Sequence, residues 1–192
     1  MTRSFSPKHF FTFCLTLAVS ISALAGEIPW RVTEIIPGGR IDAIAYAGNN
    51  IVICGTRNPN PGWIFYSTDN GFTWQKGQQL PSIEKRVGVT CIASIKNGTV
   101  IAINESSELF KSKDYGKTWI RTGKVSHSAR NGYRALSYSI CITKQGSILI
   151  SDTDSTGGSV YRSTDEGATF QKVVVSHKGL YRFDLVRNGI IV

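Results

Sequence analysis

The chain has 192 residues, of which 41% are hydrophobic, and a formal net charge of +9. This length and composition are ordinary for one globular domain that buries a core. The Lys and Arg residues are spread along the chain rather than gathered in a run, and the export predicted below argues against nucleic-acid binding. Contact with an anionic polysaccharide or membrane surface stays open. The sequence contains no phosphate-binding loop, zinc-ligand spacing or serine-hydrolase elbow.

The first 25 residues have the pattern of a secretory signal peptide. Arg3, Lys8 and His9 form a basic head, and the largely apolar segment 10–24 follows it. Ala23-Leu24-Ala25 is typical of a signal-peptidase cleavage site. We therefore predict that residues 1–25 are a cleaved signal and that the remaining chain is secreted or periplasmic, with no membrane span after cleavage. An uncleaved anchor is the alternative.

The predicted mature chain keeps three cysteines, each inside an apolar, strand-like run. Cys54 ends IVIC, Cys91 lies in VTCIA and Cys141 lies in SICIT. Cysteine in such surroundings usually behaves as a small buried hydrophobe, so we expect free, buried thiols. A Cys91–Cys141 disulfide is the alternative, and the wide spacing indicates no metal site.

One eight-residue motif occurs three times, as STDNGFTW at 67–74, SKDYGKTW at 112–119 and STDEGATF at 163–170. Each copy has the same surroundings: an arginine, an apolar run, a turn, a second apolar run, a polar loop and a short third strand precede it, and a fourth strand follows. Four short antiparallel strands per repeat predict an all-β fold, a β-propeller. Blades are predicted at about residues 40–77, 86–122 and 134–175, with an unfinished blade at 181–192.

The fourth repeat stops within its second strand, so the sequence predicts about three and a half blades, an incomplete ring. Six to eight blades are the commoner solution for such folds. We expect either a truncated chain or a half-ring that pairs with a second chain, because an open sheet edge next to apolar residues 190–192 favours aggregation.

The position of the motif between the third and fourth strands predicts a hairpin turn rather than a catalytic site. The aspartate accepts backbone N–H groups within the turn, the glycine supplies a left-handed conformation, and the final aromatic residue buries its ring against the blade. These residues are Ser67, Asp69, Gly71 and Trp74 in the first copy, Ser112, Asp114, Gly116 and Trp119 in the second, and Ser163, Asp165, Gly167 and Phe170 in the third.

The pattern S-x-D-x-G-x-T-W resembles the Asp box, or BNR repeat, of sialidases, xyloglucan-cleaving glycoside hydrolases, sortilin-type receptors and the photosystem II assembly propeller. Two copies match at every fixed position, and the third departs only in having Phe170 in place of Trp. The resemblance covers nearly all of the predicted mature chain and implies a β-propeller. It implies little about chemistry, because in those families the box lies on the rim, away from the ligand site.

Arginines recur at the opposite end of the predicted blades. Several guanidinium groups at one mouth would suit a carboxylate, sulfate or phosphate, which they bind through paired hydrogen bonds. The alternative is that each arginine pairs with an acid of a neighbouring blade, and the ends of the second strands supply such acids, for example in Asn104-Glu105. The candidate anion-binding residues are Arg40, Arg86, Arg134 and Arg182, each before a first strand, and Arg57, after a second strand.

A sialidase holds its substrate carboxylate with three arginines, and the resemblance implies matching residues in this sequence only in part. Tyr133-Arg134 and Tyr181-Arg182 keep the aromatic-Arg pair of the sialidase segment and lose the Ile-Pro that follows it. Arg57 falls near the second family arginine without its accompanying acid. No residue matches the nucleophilic tyrosine, its glutamate or the third arginine, so the catalytic residues are unassigned.

The sequence therefore predicts an exported propeller that binds or processes glycans in the manner of sialidases or related glycoside hydrolases, without catalysis by this chain alone. Its predicted partners are an acidic glycan and a second chain that completes the ring, with no nucleic acid, cofactor or metal. The alternative is a non-enzymatic propeller that docks a protein partner in assembly or adhesion.

Overall fold

The structure is a computed structural model, and it describes residues 36, 39–57, 62–84, 87–96, 98–125, 136–154, 157–176, 184–186 and 189–191. These residues belong to one compact unit that spans residues 33–192. The predicted signal peptide, residues 1–25, lies outside the described residues.

The described chain forms three four-stranded antiparallel sheets and one two-stranded hairpin, and within each sheet the strands pair in sequence order. Blade 1 contains β1 (Ile41–Gly48), β2 (Ile51–Thr56), β3 (Ile64–Ser67) and β4 (Gln75–Lys76). Blade 2 contains β5 (Val89–Lys96), β6 (Thr99–Asn104), β7 (Glu108–Ser112) and β8 (Ile120–Lys124). Blade 3 contains β9 (Leu136–Ile142), β10 (Ile148–Asp154), β11 (Gly157–Ser163) and β12 (Gln171–Ser176), and the hairpin contains β13 (Asp184–Val186) and β14 (Gly189–Ile191).

The first strand of each blade is the inner strand. β1 contacts β5, β5 contacts β9, and β9 contacts β13, so these strands lie next to one another in succession. This is the arrangement of propeller blades. The predicted all-β propeller is confirmed: the described strands form three blades and the first hairpin of another, and they do not close a ring. No helix long and apolar enough to cross a membrane occurs in the described part of the chain.

The hydrophobic core lies between the blades. Ile53 and Ile64 of blade 1 pack with Val100, Ala102 and Phe110 of blade 2. In the next layer, Ile101, Ile103 and Leu109 of blade 2 pack with Ile148 and Ile150 of blade 3. Side chains of a strand alternate between two faces, so β6 fills one layer with Val100 and Ala102 and the next with Ile101 and Ile103. This two-sided burial explains why the second strand of each repeat is an almost continuous apolar run.

The two ends of the blades differ, and we name them by their connections. The loop end carries the start of each first strand, the loop between the second and third strands, and the link to the next blade. The turn end carries the hairpin turn between the first and second strands together with the repeated motif. Asn49 and Asn50 form the first of these turns with φ of +51° and +61°, a conformation that asparagine tolerates.

The prediction of free, buried thiols is confirmed for the three cysteines in the described residues. Cys54, Cys91 and Cys141 are all buried, and none forms a disulfide. Burial raises the pKa of Cys54 to about 12, against a smaller opposing hydrogen bond from the Phe65 backbone. This thiol is therefore neutral at any physiological pH and unreactive as a nucleophile.

Candidate functional site

Arg40 and Arg57 lie side by side at the loop end of blade 1. Arg40 precedes β1 and Arg57 follows β2, and the Arg57 N–H donates to the Arg40 carbonyl oxygen at 2.9 Å. Pairing of Ile41 with Thr56 fixes this arrangement, because it places the start of the first strand beside the end of the second. The hairpin therefore brings both guanidinium-bearing residues to one corner of the blade.

The guanidinium of Arg57 joins two blades through carboxylates. Its Nε donates to Glu105 Oε1 at 2.5 Å, and its Nη1 donates to Asp42 Oδ2 at 3.4 Å. Asp42 belongs to β1, whereas Glu105 follows β6 in blade 2 and accepts the Gly88 N–H with its other oxygen at 2.9 Å. Burial by itself would lower the pKa of Arg57, but the hydrogen bond and charge of Glu105, together with Asp42, raise it above its usual value. Arg57 is therefore a charged bridge between blades.

Arg40 is the more available of the two cations. Its Nε donates to Asp42 Oδ1, so one carboxylate serves both arginines. The side chain of Arg40 is 65% exposed, against 30% for Arg57. Since a guanidinium has five N–H donors, Arg40 has donors left for an anion from solution.

Glycines allow the backbones of the two blades to meet at this corner. A Cβ on Gly88 would lie 2.6 Å from the Cα of Arg57, and a Cβ on Gly62 would lie 2.8 Å from the Cα of Gly88. The Gly62 N–H also donates to the Val87 carbonyl oxygen at 3.0 Å. The position of Arg57 is thus fixed by backbone packing as well as by its acids.

A second carboxylate at the loop end, Glu108, is buried at the start of β7. Its Oε1 accepts from Arg121 Nε at 2.7 Å and from the Ile83 N–H at 3.3 Å, and its Oε2 accepts from Asn104 Nδ2 at 2.9 Å and from the Ser82 hydroxyl. Burial by itself would raise the pKa of Glu108, but the hydrogen bonds from Ser82, Asn104 and Arg121 outweigh it and lower the pKa. Through Ser82 and Ile83, this carboxylate holds the link between blades 1 and 2 against the second blade.

The structure brings together only part of the predicted anion-binding set. Arg86, Arg134 and Arg182 lie outside the described residues, so their convergence stays a prediction. Sequence reasoning anticipated an acid at Glu105 but did not single out Asp42 or Glu108. Asp42 carried a usable signal, because residues two apart on a strand share a face and Arg40-Ile41-Asp42 therefore places opposite charges together. Glu108 had no comparable signal, since two of its partners, Ser82 and Ile83, come from the link between blades, and the others belong to the end and the outer strand of its own blade.

At the turn end, the three motif copies share one hydrogen-bond pattern. The serine Oγ accepts the glycine N–H at 2.8, 2.8 and 2.9 Å in copy order, and the aspartate Oδ1 accepts the threonine N–H at 2.9 Å in each. The threonine hydroxyl donates to the aspartate Oδ2 at 2.6 Å in each. The glycines have φ of +93°, +81° and +86°. All of these groups satisfy one another within the turn, so they form a structural unit with no group aimed at a ligand.

These hydrogen bonds favour the ionised aspartates. The pKa of Asp69 is lowered from 3.8 to about 2, chiefly by the hydrogen bond from Ser67 and then by Thr73. The pKa of Asp165 is also lowered, first by the hydrogen bond from Thr169. For Asp114, burial opposes ionisation, but Thr118 and the other donors of the turn still lower the pKa.

The part of the chain that the structure describes contains no group of three His, Cys, Asp or Glu side chains able to hold a metal ion. The loop end therefore offers guanidinium and carboxylate groups, together with exposed apolar side chains, as its chemistry. Ile83 in the link between blades 1 and 2 is 71% exposed, and Ile41 at the start of β1 is also exposed.

Comparison with known proteins adds a family and a set of propellers. The family model Sortilin-Vps10, described as sortilin and neurotensin receptor 3, matches residues 62–185. Comparison with curated proteins found no match.

Among solved structures, the chain is similar to YCF48 bound to D1 peptide, with 15% identity, 73% of this chain and 41% of that chain covered, and a TM-score of 0.52. It is similar to the extracellular domain of a putative hybrid two-component system from B. thetaiotaomicron, with 11% identity and a TM-score of 0.58; the match covers 78% of this chain and 19% of that chain. It is also similar to a protein from Lactobacillus plantarum, with 15% identity and a TM-score of 0.54; the match covers 74% of this chain and 43% of that chain. The chain thus spans less than half the length of each of these proteins, and the likeness concerns the fold.

Proposed function

The chain belongs to the Sortilin-Vps10 family, and from that premise we propose that it is an exported β-propeller that docks a protein or peptide partner on its loop end. The predicted signal peptide at residues 1–25 supports a secreted or periplasmic location. The description of the family names a receptor. Fold and family alone do not select a ligand, so the proposal depends on the loop end itself.

The pairing of Arg57 is the observation that carries the proposal. Its guanidinium is already held by Glu105 at 2.5 Å and by Asp42 at 3.4 Å. Arg57 keeps N–H donors, but two nearly buried carboxylates already compensate its charge and would repel the carboxylate of an acidic sugar. Arg57 is therefore poorly suited to bind an anion from solution.

The remaining surface of the loop end has the character of a protein interface. Exposed Ile41 stands in sequence between Arg40 and Asp42, which form an ion pair, and exposed Ile83 precedes Glu84, which accepts from the Ser106 hydroxyl. Apolar anchors within a polar rim are typical of sites that bind polypeptides. The solved YCF48 structure holds a D1 peptide, which provides an example of a peptide bound by a protein of this fold.

Glycan binding or processing is the second candidate, and one observation favours it. The side chain of Arg40 is 65% exposed and retains donors that could hold the carboxylate of an acidic sugar. Arg86, Arg134 and Arg182 would extend this site if they converge as predicted. The likeness of the motif to the Asp box of sialidases supports a glycan-related ancestry, whereas no residue is assigned to catalysis.

Selection of peptides tests the first candidate. A phage-displayed random peptide library is selected on the immobilised chain, and binding of the recovered peptides is measured by isothermal titration. We expect Ile83→Asp to weaken binding by roughly tenfold, the loss of one apolar anchor. Phe72→Asp is the matched control, because Phe72 is also an exposed apolar residue but lies at the turn end; binding should stay within about twofold.

Titration with sialyllactose and galacturonate separates the two candidates. The docking proposal expects no measurable affinity for either sugar. Millimolar or tighter binding that Arg40→Ala abolishes, in a chain that selects no peptide sensitive to Ile83→Asp, would overturn the proposal in favour of the glycan candidate.

A further inference from the structure

At the turn end, the second and third motifs touch the preceding blade through the residue before the motif glycine. This residue is Asn70, Tyr115 or Glu166, and in all three copies it has a left-handed conformation, with φ of +60°, +62° and +55°. The glycine that follows lies against an isoleucine of the preceding blade in the second and third copies, because a Cβ there would be 2.5 Å from Ile53 and 3.1 Å from Ile101. The residue before the glycine is therefore the point at which one blade contacts the next.

Between blades 2 and 3 this contact is ionic. The Glu166 carboxylate binds Lys96 Nζ with Oε1 and Lys111 Nζ with Oε2, the latter at 3.0 Å. Lys111 Nζ also donates to the Glu166 carbonyl oxygen at 3.1 Å. The hydrogen bond from Lys96, followed by that from Lys111, lowers the pKa of Glu166 to about 2.

Between blades 1 and 2 the same contact is neutral. Asn49 Nδ2 donates to the Tyr115 hydroxyl at 2.7 Å. Strand register identifies the blade 1 positions that correspond to the two lysines. Tyr66 corresponds to Lys111, because Tyr66 pairs with Ile53 in the way that Lys111 pairs with Ile101. Gly48 corresponds to Lys96, because each is the last paired residue of its first strand. Blade 1 thus has no cation at either position and receives a tyrosine, whereas blade 2 has two cations and receives a glutamate.

Blade 3 repeats the two cations of blade 2. Arg162 pairs with Leu149 in the register that Lys111 has with Ile101. Lys144 corresponds to Lys96 in the hairpin turn between the first and second strands. The paired residues Ile142 and Ile148 enclose the same number of residues as Ser94 and Val100, and each lysine is the second residue inside its turn. Both side chains are exposed, and Arg162 Nη2 donates to Ser147 Oγ at 3.1 Å. Neither cation forms an ion pair with a carboxylate of the described residues, in contrast to Lys96 and Lys111.

We propose that Lys144 and Arg162 form a docking site for an acidic β-turn. The turn is that of a hairpin formed by the third and fourth strands of a blade, with Asp or Glu directly before the motif glycine. The hairpin would pair with β14, whose partner strand β13 already contacts β9 as the inner strand of the next blade. Its acidic residue would then meet the two cations as Glu166 meets Lys96 and Lys111. A second copy of this chain does not fit, because its first two motifs present uncharged Asn70 and Tyr115 and its Glu166 is already bound by its own Lys96 and Lys111.

A synthetic hairpin tests the site on the full chain. The probe is a fluorescent peptide with the sequence of residues 157–176, which contains β11, the acidic turn and β12, and its partner probe has Gln in place of Glu166. Fluorescence anisotropy should give roughly fivefold tighter binding for the glutamate peptide, since exposed ion pairs have effects of this size. The preference should fall as salt is raised.

Substitutions in the chain then assign the preference to the two cations. Lys144→Ala/Arg162→Ala should bind both peptides equally. Lys113→Ala/Lys117→Ala, which removes two exposed lysines from the turn end of blade 2, should keep the full preference. Equal binding of both peptides by the unmodified chain, absence of binding, or a preference that survives Lys144→Ala/Arg162→Ala would overturn the proposal. If the unmodified chain forms a dimer and Lys144→Ala/Arg162→Ala does not, the proposal would also be overturned, because the site would then serve a second copy.

Discussion

The turn end and the loop end of the same blades are built in different ways. At the turn end, the three motif copies agree to within 0.1 Å in the bond from the glycine N–H to the serine Oγ. At the loop end, the corresponding positions after the second strands hold Arg57 in blade 1 and Glu105 in blade 2, and these pair with each other. Groups repeated in every blade therefore form the fold, and groups that differ between blades are where specific binding can arise.

The largest effect is expected where the turn end is packed most tightly. Gly116→Ala forces alanine into a left-handed conformation and places its Cβ 2.5 Å from Ile53 Cδ1. The combined cost is about 3 kcal/mol in the free energy of unfolding, measured by urea denaturation. Gly71→Ala is the matched control, because Gly71 is also left-handed but its nearest neighbour is Trp74 at 3.6 Å; it should cost about 1 kcal/mol. Equal losses in the two variants would mean that the contact with Ile53 is unimportant.

At the loop end, Glu108→Ala should have the next largest effect. The substitution removes the acceptor for Arg121, Asn104 and Ser82 and should cost about 2 kcal/mol in the free energy of unfolding. Glu84 provides the comparison, because it is an exposed acid of the same end whose one hydrogen-bond donor among the described residues is Ser106 Oγ, at 2.9 Å. Glu84→Ala should change stability by about 0.5 kcal/mol or less. The prediction fails if thermal and urea melts of the two variants coincide.

Comparison of the two arginines decides whether the loop end uses its cations for structure or for binding. Arg57→Ala leaves Glu105 buried without its cation and should cost about 1 to 2 kcal/mol in unfolding free energy. Arg40→Ala, at an exposed position, should cost about 0.5 kcal/mol or less. An Arg57→Ala chain as stable as the unmodified protein would show that Arg57 is free to serve a ligand.

The smallest single-site effect is expected from the ionisation of the turn aspartates. Their pKa values are lower in the folded chain than the usual value, so their ionised forms stabilise the fold above about pH 4, and this contribution is lost as the pH falls through the folded values. Glu108 and Glu166 act in the same direction. The melting temperature should therefore decline between about pH 4 and pH 2.

Asp69→Asn isolates one turn. This variant should melt at a lower temperature at pH 7 and should lose less stability between about pH 4 and pH 2 than the unmodified chain, because it has one carboxylate fewer to protonate. Differential scanning calorimetry across this range provides the measurement. An unchanged slope would show that Asp69 does not contribute to the acid response.

The fold could be predicted from the sequence because the repeat is local and occurs three times. The spacing of apolar runs and turns within each repeat defines four strands, and antiparallel neighbours in sequence are neighbours in space. The unfinished fourth blade was also anticipated, and the structure has the hairpin β13–β14 in that part of the chain. Boundaries of the blades and the signal peptide stay predictions.

The candidate site was less accessible to sequence reasoning, since its contacts join residues far apart in the chain. The partner of Arg57 is Glu105, in another blade, and the choice between external anion and internal acid depends on a distance of 2.5 Å that no spacing gives. The contact of Glu166 with Lys96 and Lys111 was missed for a different reason. The contact depends on the one motif position that varies between copies, occupied by Asn70, Tyr115 or Glu166, and the shared pattern of the motif carries no signal for it.

The contact residue before each motif glycine has a consequence for how such a chain can lengthen by tandem duplication. A copy of blade 2 inserted after itself would set Tyr115 against Lys96 and Lys111, which is a poor match. A copy of blade 3 would set Glu166 against Lys144 and Arg162, which is a complementary one. Of the two, blade 3 is therefore the unit that can follow itself, and a gene that gains blades by copying would tolerate that copy most readily.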